Sequence, residues 1–384
     1  MEKINVGIIG VGFIGQCHIE GLQRLGYVNI AAINDSNEEL ARQCAERFGI
    51  ERCCAGYDEI LSDPDIQVIH NCTPNHLHKE INLKAIESGK HIFSEKPLGL
   101  TSAESAEMLK ALAKKPDVVA GINFCYRMTA LIQDAKNRIA AGEIGRPMLV
   151  HGSYLQDWML FETDYNWRAD TKISGESRVI GDIGTHWMDL AQVMLGARIT
   201  DVCAQTLIAH PVRKKSKTPV ATFSVSTNTE YEDVAISSED YAGVLLRFDN
   251  GTVGSFSCSQ VSAGRKCFID IEVDGSAASF QWQHQTGDSM WKGYRDQNNE
   301  HIIRNPLFMT EAAKPYAMLA AGHPEGWNDA FKNTLSSYYG FIRAGKKHGD
   351  ACDFATFEDG HYLMKLIEAI LKSAKTESWV HVDA

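Results

Sequence analysis

The segment Ile4 to Gly15 reads Ile-Asn-Val-Gly-Ile-Ile-Gly-Val-Gly-Phe-Ile-Gly, an apolar run that breaks into glycines and resumes with helical spacing. It predicts a strand, a tight turn and a helix. Gly10 can adopt a backbone conformation other residues avoid, Gly12 removes a side chain where an anion approaches, and Gly15 lets the helix sit close on the strand. The free N–H groups at such a helix start face an anion. A second apolar run, Val28 to Asn34, ends at Asp35, twenty residues beyond Gly15, where a carboxylate can accept hydrogen bonds from an adenosine ribose. The order predicts a dinucleotide site, with Phe13 and Ile14 in the turn itself. Asp35 repels a 2′-phosphate and Ser36 and Asn37 offer no cation, so NAD is expected and NADP disfavoured. Arg42, about two turns into the next helix, reads as a solvated residue.

At 384 residues the chain exceeds one ordinary core, and two domains are expected. A hydrophobic fraction of 44% with 23% charged residues is that of a globular protein. The net charge of -11 argues against nucleic-acid binding, and no polybasic patch or membrane-length apolar run points to a lipid surface. The first residues enter a strand rather than a signal sequence, so the cytoplasm is the expected compartment. Cysteines are scattered without a Cys-x-x-Cys pair, and Cys72, Cys258 and Cys267 fall in apolar strands. Reduced core thiols are therefore expected in place of disulfides. Adjacent Cys53 and Cys54 suit neither a bridge nor a metal knuckle, and no metal is expected.

Beyond Asp35 strands and helices alternate: a helix to about Phe48, a strand Ile66 to Cys72, a helix His76 to Ser88, a strand His91 to Ser94, a helix Ser102 to Lys115 and a strand Val118 to Ile122. This predicts an α/β fold with a doubly wound parallel sheet. Ligands on such sheets bind beyond the carboxyl ends of strands, which places Thr73, Pro74, Asn75 and His78 with Glu95, Lys96 and Pro97 in the crevice of Gly10 to Gly15. The pattern changes after about Phe124, so the expected domains are 1–124 for NAD and 125–384 for substrate. The second part carries a helix Met128 to Ala141, a strand Met148 to Leu155, an aromatic loop Asp157 to Ser177 and a strand Asp201 to Ala209. A period-two antiparallel meander follows from Tyr241 to Gln283, with Asp249-Asn250-Gly251 as a hairpin turn. His210 to Asp233, rich in Lys, Ser and Thr, reads as a mobile insertion on the rim. Helices Asn328 to Ala344 and Phe357 to Lys375 and a strand Trp379 to Val382 close the chain.

Two stretches carry chemistry. Lys96, held at the carboxyl edge of a buried strand, can hydrogen-bond a substrate hydroxyl; the alternative is an ordinary charged loop. Asp182 and His186, four apart, share a helical face if a helix starts there, and a carboxylate beside an imidazole makes an acid/base pair. Asp182 as a helix cap, His186 as a satisfied buried histidine, and the pair as metal ligands are the competing readings. No third His or Cys lies at ligand spacing nearby. Asp189 is expected to orient the helix or the imidazole.

Gly10-Val-Gly12-Phe-Ile-Gly15, Thr73-Pro74-Asn75-His76, Glu95-Lys96-Pro97 and Asp182-x-Gly184-x-His186-x-x-Asp189, in that order, resemble the glucose-fructose oxidoreductase, inositol dehydrogenase and rhizopine-catabolism (Gfo/Idh/MocA) family from Lys3 nearly to the C-terminus. The resemblance implies a Rossmann domain followed by an α/β domain with a large, mostly antiparallel open sheet, often an oligomer interface, and so a homodimer or homotetramer. It places the family's lysine on Lys96, its catalytic histidine on His186 and its helix aspartate on Asp182. Tyr154 to Trp158, Trp167-Arg168 and Asn123-x-x-Tyr126-Arg127 are similar to the family's sugar 3-dehydrogenases, which implies substrate contacts at Tyr126, Gln156 and Arg168 with Trp158 as a stacking wall. Two segments depart from the pattern: Ser174 to Val179 where a glycine-rich approach is usual, and the loop Gly322 to Trp327. The implied reaction is NAD-dependent oxidation of a secondary hydroxyl on a sugar, anhydrosugar, glycoside or cyclitol, with His186 as base and Lys96 on the same oxygen. An NAD-dependent glycosidase with transient oxidation, and a non-catalytic sugar-sensing regulator, remain as alternatives.

Overall fold

The computed structural model describes residues 3–218 and 230–383, arranged in two compact units. The first holds the residues up to Cys125 together with Asn328–Met364; the second holds Tyr126–Trp327 and the residues from Lys365 onward. The expected single division between 124 and 125 is therefore corrected, because the chain returns to its first unit.

In that unit β1 (Ile4–Ile9), α1 (Phe13–Gln23), β2 (Val28–Asn34), α2 (Glu38–Phe48), α3 (Tyr57–Ser62), β3 (Val68–Asn71), α4 (His78–Glu87), β4 (His91–Ser94), α5 (Ser102–Leu112) and β5 (Ala120–Ile122) follow in order. The strands form one parallel sheet in the order β2-β1-β3-β4-β5. Val6, Ile8, Val68, Ile69, Ile92 and Phe93 are fully buried, as continuous apolar strands covered on both faces must be. The helices start as their sequences direct: Asn37 caps α2 through Leu40 N–H, and Thr101 caps α5 through Glu104 N–H. The expected helix at His76 instead opens as a 3-10 turn, Asn75–Leu77, after Pro74.

The sheet is closed by the helix Trp327–Arg343, whose Phe331, Leu335, Tyr338 and Tyr339 form an apolar stripe at helical spacing. Its side chains meet α1 at Gly21, where Leu335 stands 2.8 Å from the position a Cβ would take. Tyr338 donates its hydroxyl to the Val119 carbonyl at 3.1 Å, and Ile122 N–H reaches the Ala355 carbonyl at 2.9 Å. The strand to helix turn is tight. Gly10 lies at φ +90°, and a Cβ on Gly15 would fall 2.1 Å from the Gly10 carbonyl oxygen.

The second unit continues with α6 (Ala130–Ala140), β6 (Pro147–Leu155), α7 (Thr171–Ser174), α8 (Thr185–Leu195), β7 (Ile199–Leu207), β8 (Val212–Ser216), β9 (Tyr231–Ala235), β10 (Tyr241–Phe248), β11 (Val253–Ser259), β12 (Phe268–Gly275), β13 (Ser279–Gln283), β14 (Ser289–Gly293), β15 (Glu300–Ile303) and β16 (Val380–His381). Nine of these strands make one sheet, β15-β14-β13-β12-β6-β11-β10-β7-β16, antiparallel throughout except for β6 beside β11. Helix α8 packs on it through Trp187, which stacks on Phe256 at 4.7 Å and donates its indole N–H to the Asp270 carbonyl at 2.9 Å. β14 and β15, of five and four residues, are too short to show a period-two pattern in the sequence. The expected rim insertion contains the antiparallel pair β8 and β9; its residues 219–229 lie outside the described residues. Cys267, expected inside a strand, is exposed just before β12 at φ +47°.

Replacing Gly15 by alanine forces backbone against backbone. The expected cost is about 1–3 kcal/mol, read as a lower urea midpoint, together with loss of dinucleotide binding in the folded fraction.

Candidate active site

β1, β3 and β4 are neighbours and parallel, so the turns that leave their carboxyl ends (Gly10–Gly15, Thr73–His78 and Glu95–Pro97) emerge on one edge. At that edge α1 begins at Gly12 with no capping side chain and no acidic residue in its first turn. A Cβ at Gly12 would meet nothing within 4 Å, so the space over the helix start is open to an anion. Phe13 is exposed beside it and Ile14 half-buried. Asp35 takes one backbone N–H on each carboxylate oxygen, from Val11 at 2.8 Å and Asn37 at 2.9 Å. Each oxygen keeps a lone pair for a ribose hydroxyl. Arg42 turns away to pair with Glu39 on the exposed face of its own helix. These features fit NAD.

Thr73 donates its hydroxyl to Asn71 at 2.7 Å, fixing the turn that carries Pro74 and the buried Asn75. His78, expected to face the cofactor, is corrected: its ring is fully buried, with Nδ1 2.8 Å from the Pro97 carbonyl and Nε2 2.8 Å from the Thr73 carbonyl. It braces the two loops against each other. The Lys96–Pro97 peptide between them is cis.

Glu95 is likewise buried and faces inward. Its Oε1 accepts from His18 Nε2 at 3.0 Å and from Asn123 Nδ2 at 2.5 Å, and its Oε2 from the Lys96 backbone N–H at 3.3 Å. His18 Nδ1 lies 2.6 Å from His70 Nδ1, and His70 Nε2 lies 2.7 Å from the Tyr339 hydroxyl. A carboxylate only accepts, so one set of protons satisfies the whole chain: Tyr339 O–H to His70, His70 N–H to His18, His18 N–H to Glu95. Burial opposes ionisation of Glu95, but the hydrogen bonds from His18 and Asn123 hold its carboxyl below the usual range. Burial pushes His70 well below the ordinary histidine value. Sequence reasoning found Glu95 but not His18, His70 or Tyr339, which share no local pattern.

In the second unit a π-helical turn, Ile180–Gly184, runs directly into α8, and Thr185 N–H reaches the Ile180 carbonyl five residues back. The expected common face of Asp182 and His186 is thereby altered, since four residues no longer complete a turn. Asp182 is also not a cap. Its Oδ1 accepts from Arg168 Nε at 3.2 Å and its Oδ2 from Gln260 Nε2 at 2.8 Å. Arg168 further donates to Asn166 at 3.2 Å and lies over the Trp167 ring.

His186, buried in the first turn of α8, sits edge-on to Tyr126 at 5.0 Å and tilted against Tyr154 at 6.3 Å. The two phenol oxygens are 3.1 Å apart, and burial keeps Tyr154 protonated far above neutral pH. Gln156 accepts the Trp158 indole N–H at 2.7 Å and donates to the Tyr154 hydroxyl and to Cys267 sulfur, each at 3.4 Å. His284, which no motif announced, meets Tyr126 edge-on at 5.1 Å. Asp189 forms a buried two-point ion pair with Arg127, tying α8 to the segment that carries Tyr126. Asp182 and Arg168 thus belong to one polar group with Gln260, and Tyr126, Gln156 and Trp158 to a second with His186, Tyr154 and His284, with the Asp182 carboxylate near enough for its charge to act on the Tyr154 phenol.

A dinucleotide edge in one unit and a carboxylate, imidazole and phenol cluster in the other define an NAD-dependent oxidoreductase. The chain belongs to the Gfo/Idh/MocA family: residues 4–124 match its NAD-binding Rossmann domain and residues 132–281 its C-terminal domain. It is 31% identical to levoglucosan dehydrogenase of Pseudarthrobacter phenanthrenivorans, covering 100% of this chain and 99% of that protein. A solved levoglucosan dehydrogenase in complex with NADH and levoglucosan superposes with a TM-score of 0.88 at 30% identity, covering 100% of both chains. Glucose-6-phosphate 3-dehydrogenase of Bacillus subtilis is 24% identical over 100% of this chain and 99% of that protein. The family's members include NAD-dependent dehydrogenases of sugars and cyclitols.

The buried histidine chain generates a pH dependence. An unfolded histidine titrates near about 6.5, whereas folded His70 resists protonation, so the unfolded chain binds the extra proton and stability falls as pH drops below that value. Glu95 adds a further loss as pH falls through its depressed folded value. The urea midpoint is expected to fall from about pH 7 to about pH 5, and His70→Gln to flatten that slope. His78, His91 and His284 are shifted the same way, so the slope should not vanish.

Proposed function

We propose that the protein oxidises a secondary hydroxyl of an uncharged polyhydroxylated ring, a pyranose, anhydrosugar, glycoside or cyclitol, with carbon 3 of a pyranose as the favoured position. NAD, when bound, supplies the hydride acceptor at C4 of its nicotinamide. His186 takes the hydroxyl proton as general base. Lys96 is assigned to the same oxygen, where its ammonium favours developing alkoxide charge. Asp182, held by Arg168 and Gln260, keeps lone pairs for a neighbouring substrate hydroxyl. Tyr126, Gln156 and Trp158 supply hydroxyl, amide and ring surface to the sugar.

The observation that carries this reading is the charge state of the second-unit cluster. Arg168 is paired with Asp182, Arg127 with Asp189 and Arg178 with Asp240. Arg168 and Arg127 are each engaged by their own carboxylate, and Arg178 is buried beside Asp240, which it shares with Arg213, so none of the three is presented as a cluster for a phosphate, which supports a site of donors and acceptors suited to a neutral sugar. The curated relative that acts on a sugar phosphate is the more distant of the two by identity. Ten free cysteines support a cytoplasmic setting. Half-exposed Leu149, Leu245 and Val253 on strands of the large sheet support a homodimer or homotetramer.

NADH formation with NAD and a panel of pyranoses, anhydrosugars, glycosides and inositols tests the proposal. Turnover is expected with neutral rings and to be at least about tenfold poorer in kcat/KM with their phosphates. His186→Ala and Lys96→Ala should each lower kcat by about 10²–10⁴ while NAD still binds. Tight NAD binding with glycoside cleavage and no net NADH would overturn the dehydrogenase reading.

A further inference from the structure

The π-helical turn that carries Asp182 has no cap of its own: Val179 stands at its start with no capping side chain. The donors at that start are taken up from elsewhere in the second unit. Glu239, buried just ahead of β10, accepts on its single Oε1 the Ser177 hydroxyl at 2.6 Å, Arg178 N–H at 3.0 Å and Ile180 N–H at 3.0 Å. Ser177 Oγ in turn accepts Gly181 N–H at 3.0 Å, and the Glu239 carbonyl accepts Val179 N–H and Arg178 Nε, each at 3.4 Å. The next residue anchors the same segment. Asp240 pairs with Arg178, accepts from Arg213 at 2.6 Å, and takes Ala209 N–H at 2.8 Å. Arg213, also fully buried, donates from its two terminal nitrogens to the carbonyls of Met159, Phe161 and Asp164, in the loop that follows Trp158.

This arrangement is costly to assemble. Two guanidiniums and two carboxylates are removed from water, and a carboxylate so buried is pushed upward in pKa, as Glu239 is. Buried ion pairs of this kind often contribute no more stability than an apolar core of the same volume. The donors it serves, however, are those of the turn that aims Asp182, four residues before His186. Where a glycine-rich approach would let the backbone choose its own path, Ser177-Arg178-Val179 has its path imposed by side chains from outside the helix.

We infer that Glu239 is a positioning residue for the reaction: as a cap supplied from a distant segment, it sets the π-helical turn and with it the direction of the Asp182 carboxylate relative to His186. The inference rests on the proposed roles of those two residues. Asp240 and Arg213 extend the same constraint to the loop beyond Trp158, so that turn and loop share one buried anchor.

The test compares Glu239→Ala, Glu239→Gln and Ser177→Ala, with His186→Ala measured alongside, counting active sites by NADH titration. Glu239→Ala should lower kcat per site by roughly ten- to a hundredfold, with the NAD dissociation constant within about twofold and KM for the sugar moved by less than about threefold. Glu239→Gln, whose amide oxygen can accept the same three donors, should recover kcat to within about threefold of the parent. Ser177→Ala removes one link and should cost several-fold in kcat; it decides the matter if Glu239→Ala does not fold. A kcat per site within about twofold of the parent in Ser177→Ala and in folded Glu239→Ala overturns the positioning role. Equal losses in Glu239→Gln and Glu239→Ala do so as well. Full activity in His186→Ala defeats the proposed function instead, whereas an inactive His186→Ala beside unimpaired Glu239 and Ser177 variants defeats only the inference.

Discussion

A carboxylate inside a protein must be given donors, and that requirement fixes both functional segments of this chain. Glu95 sits at the end of β4 with His18, Asn123 and the Lys96 backbone as its donors, so Lys96 leaves the sheet from a point that cannot drift. Asp189 binds Arg127 and holds α8 beside Tyr126. Glu239 and Asp240 hold the turn before α8. Lys96 directly follows Glu95 and His186 lies one helical turn before Asp189, whereas Glu239 and Asp240 reach their turn from a distant segment. The half-buried members, Asp182 and Asp35, have the same donor-rich surroundings but keep acceptor capacity for a ligand.

Much of the first unit was legible because its signals are local. The glycine turn, the apolar strands and the caps Asn37 and Thr101 lie within a few residues of the structure they specify. The strand His91–Ser94 and the start of α5 at Ser102 were read to the residue. Lys96, Asp182 and His186 stood out because each sits at an element boundary. What failed were long-range relations. Nothing near His78 says that its ring will be enclosed between two loop carbonyls, and nothing near Arg168 selects Asp182, fourteen residues on, over the nearer Asp164 and Asp170. Gln260 and His284 follow strands of the sheet and owe their places to strand order, which periodicity alone does not reveal.

The π-helical turn marks the same boundary between local and distant information. Its sequence, Ile-Gly-Asp-Ile-Gly, has two glycines and a short acidic residue, a composition that weakens an ordinary α-helix and leaves the backbone undecided. The decision comes from Ser177, Glu239 and the sheet beneath, where a Cβ at Gly184 would already touch Cys258 sulfur at 3.3 Å. Such a turn is less stable than the helix that follows it, and its retention beside His186 accords with a site that trades local stability for a fixed side-chain direction.

The return of the helix Trp327–Arg343 to the first unit bears on how the chain comes to be folded during synthesis. His70 meets Tyr339 across a separation of 269 residues, and Val119 meets Tyr338 across 219. A nascent chain that has just completed β5 therefore holds a parallel sheet with one flank bare and a histidine pair lacking its phenol. Closing so long a loop adds little entropy penalty beyond that of a shorter one, but the wait for the remaining residues is long compared with the collapse of a small sheet. During that interval the exposed flank, lined by Gly21, Phe93 and Gly121, is the surface a chaperone would have to shield, and the nucleotide-binding half becomes whole only after β6 to β15 of the second unit have left the ribosome.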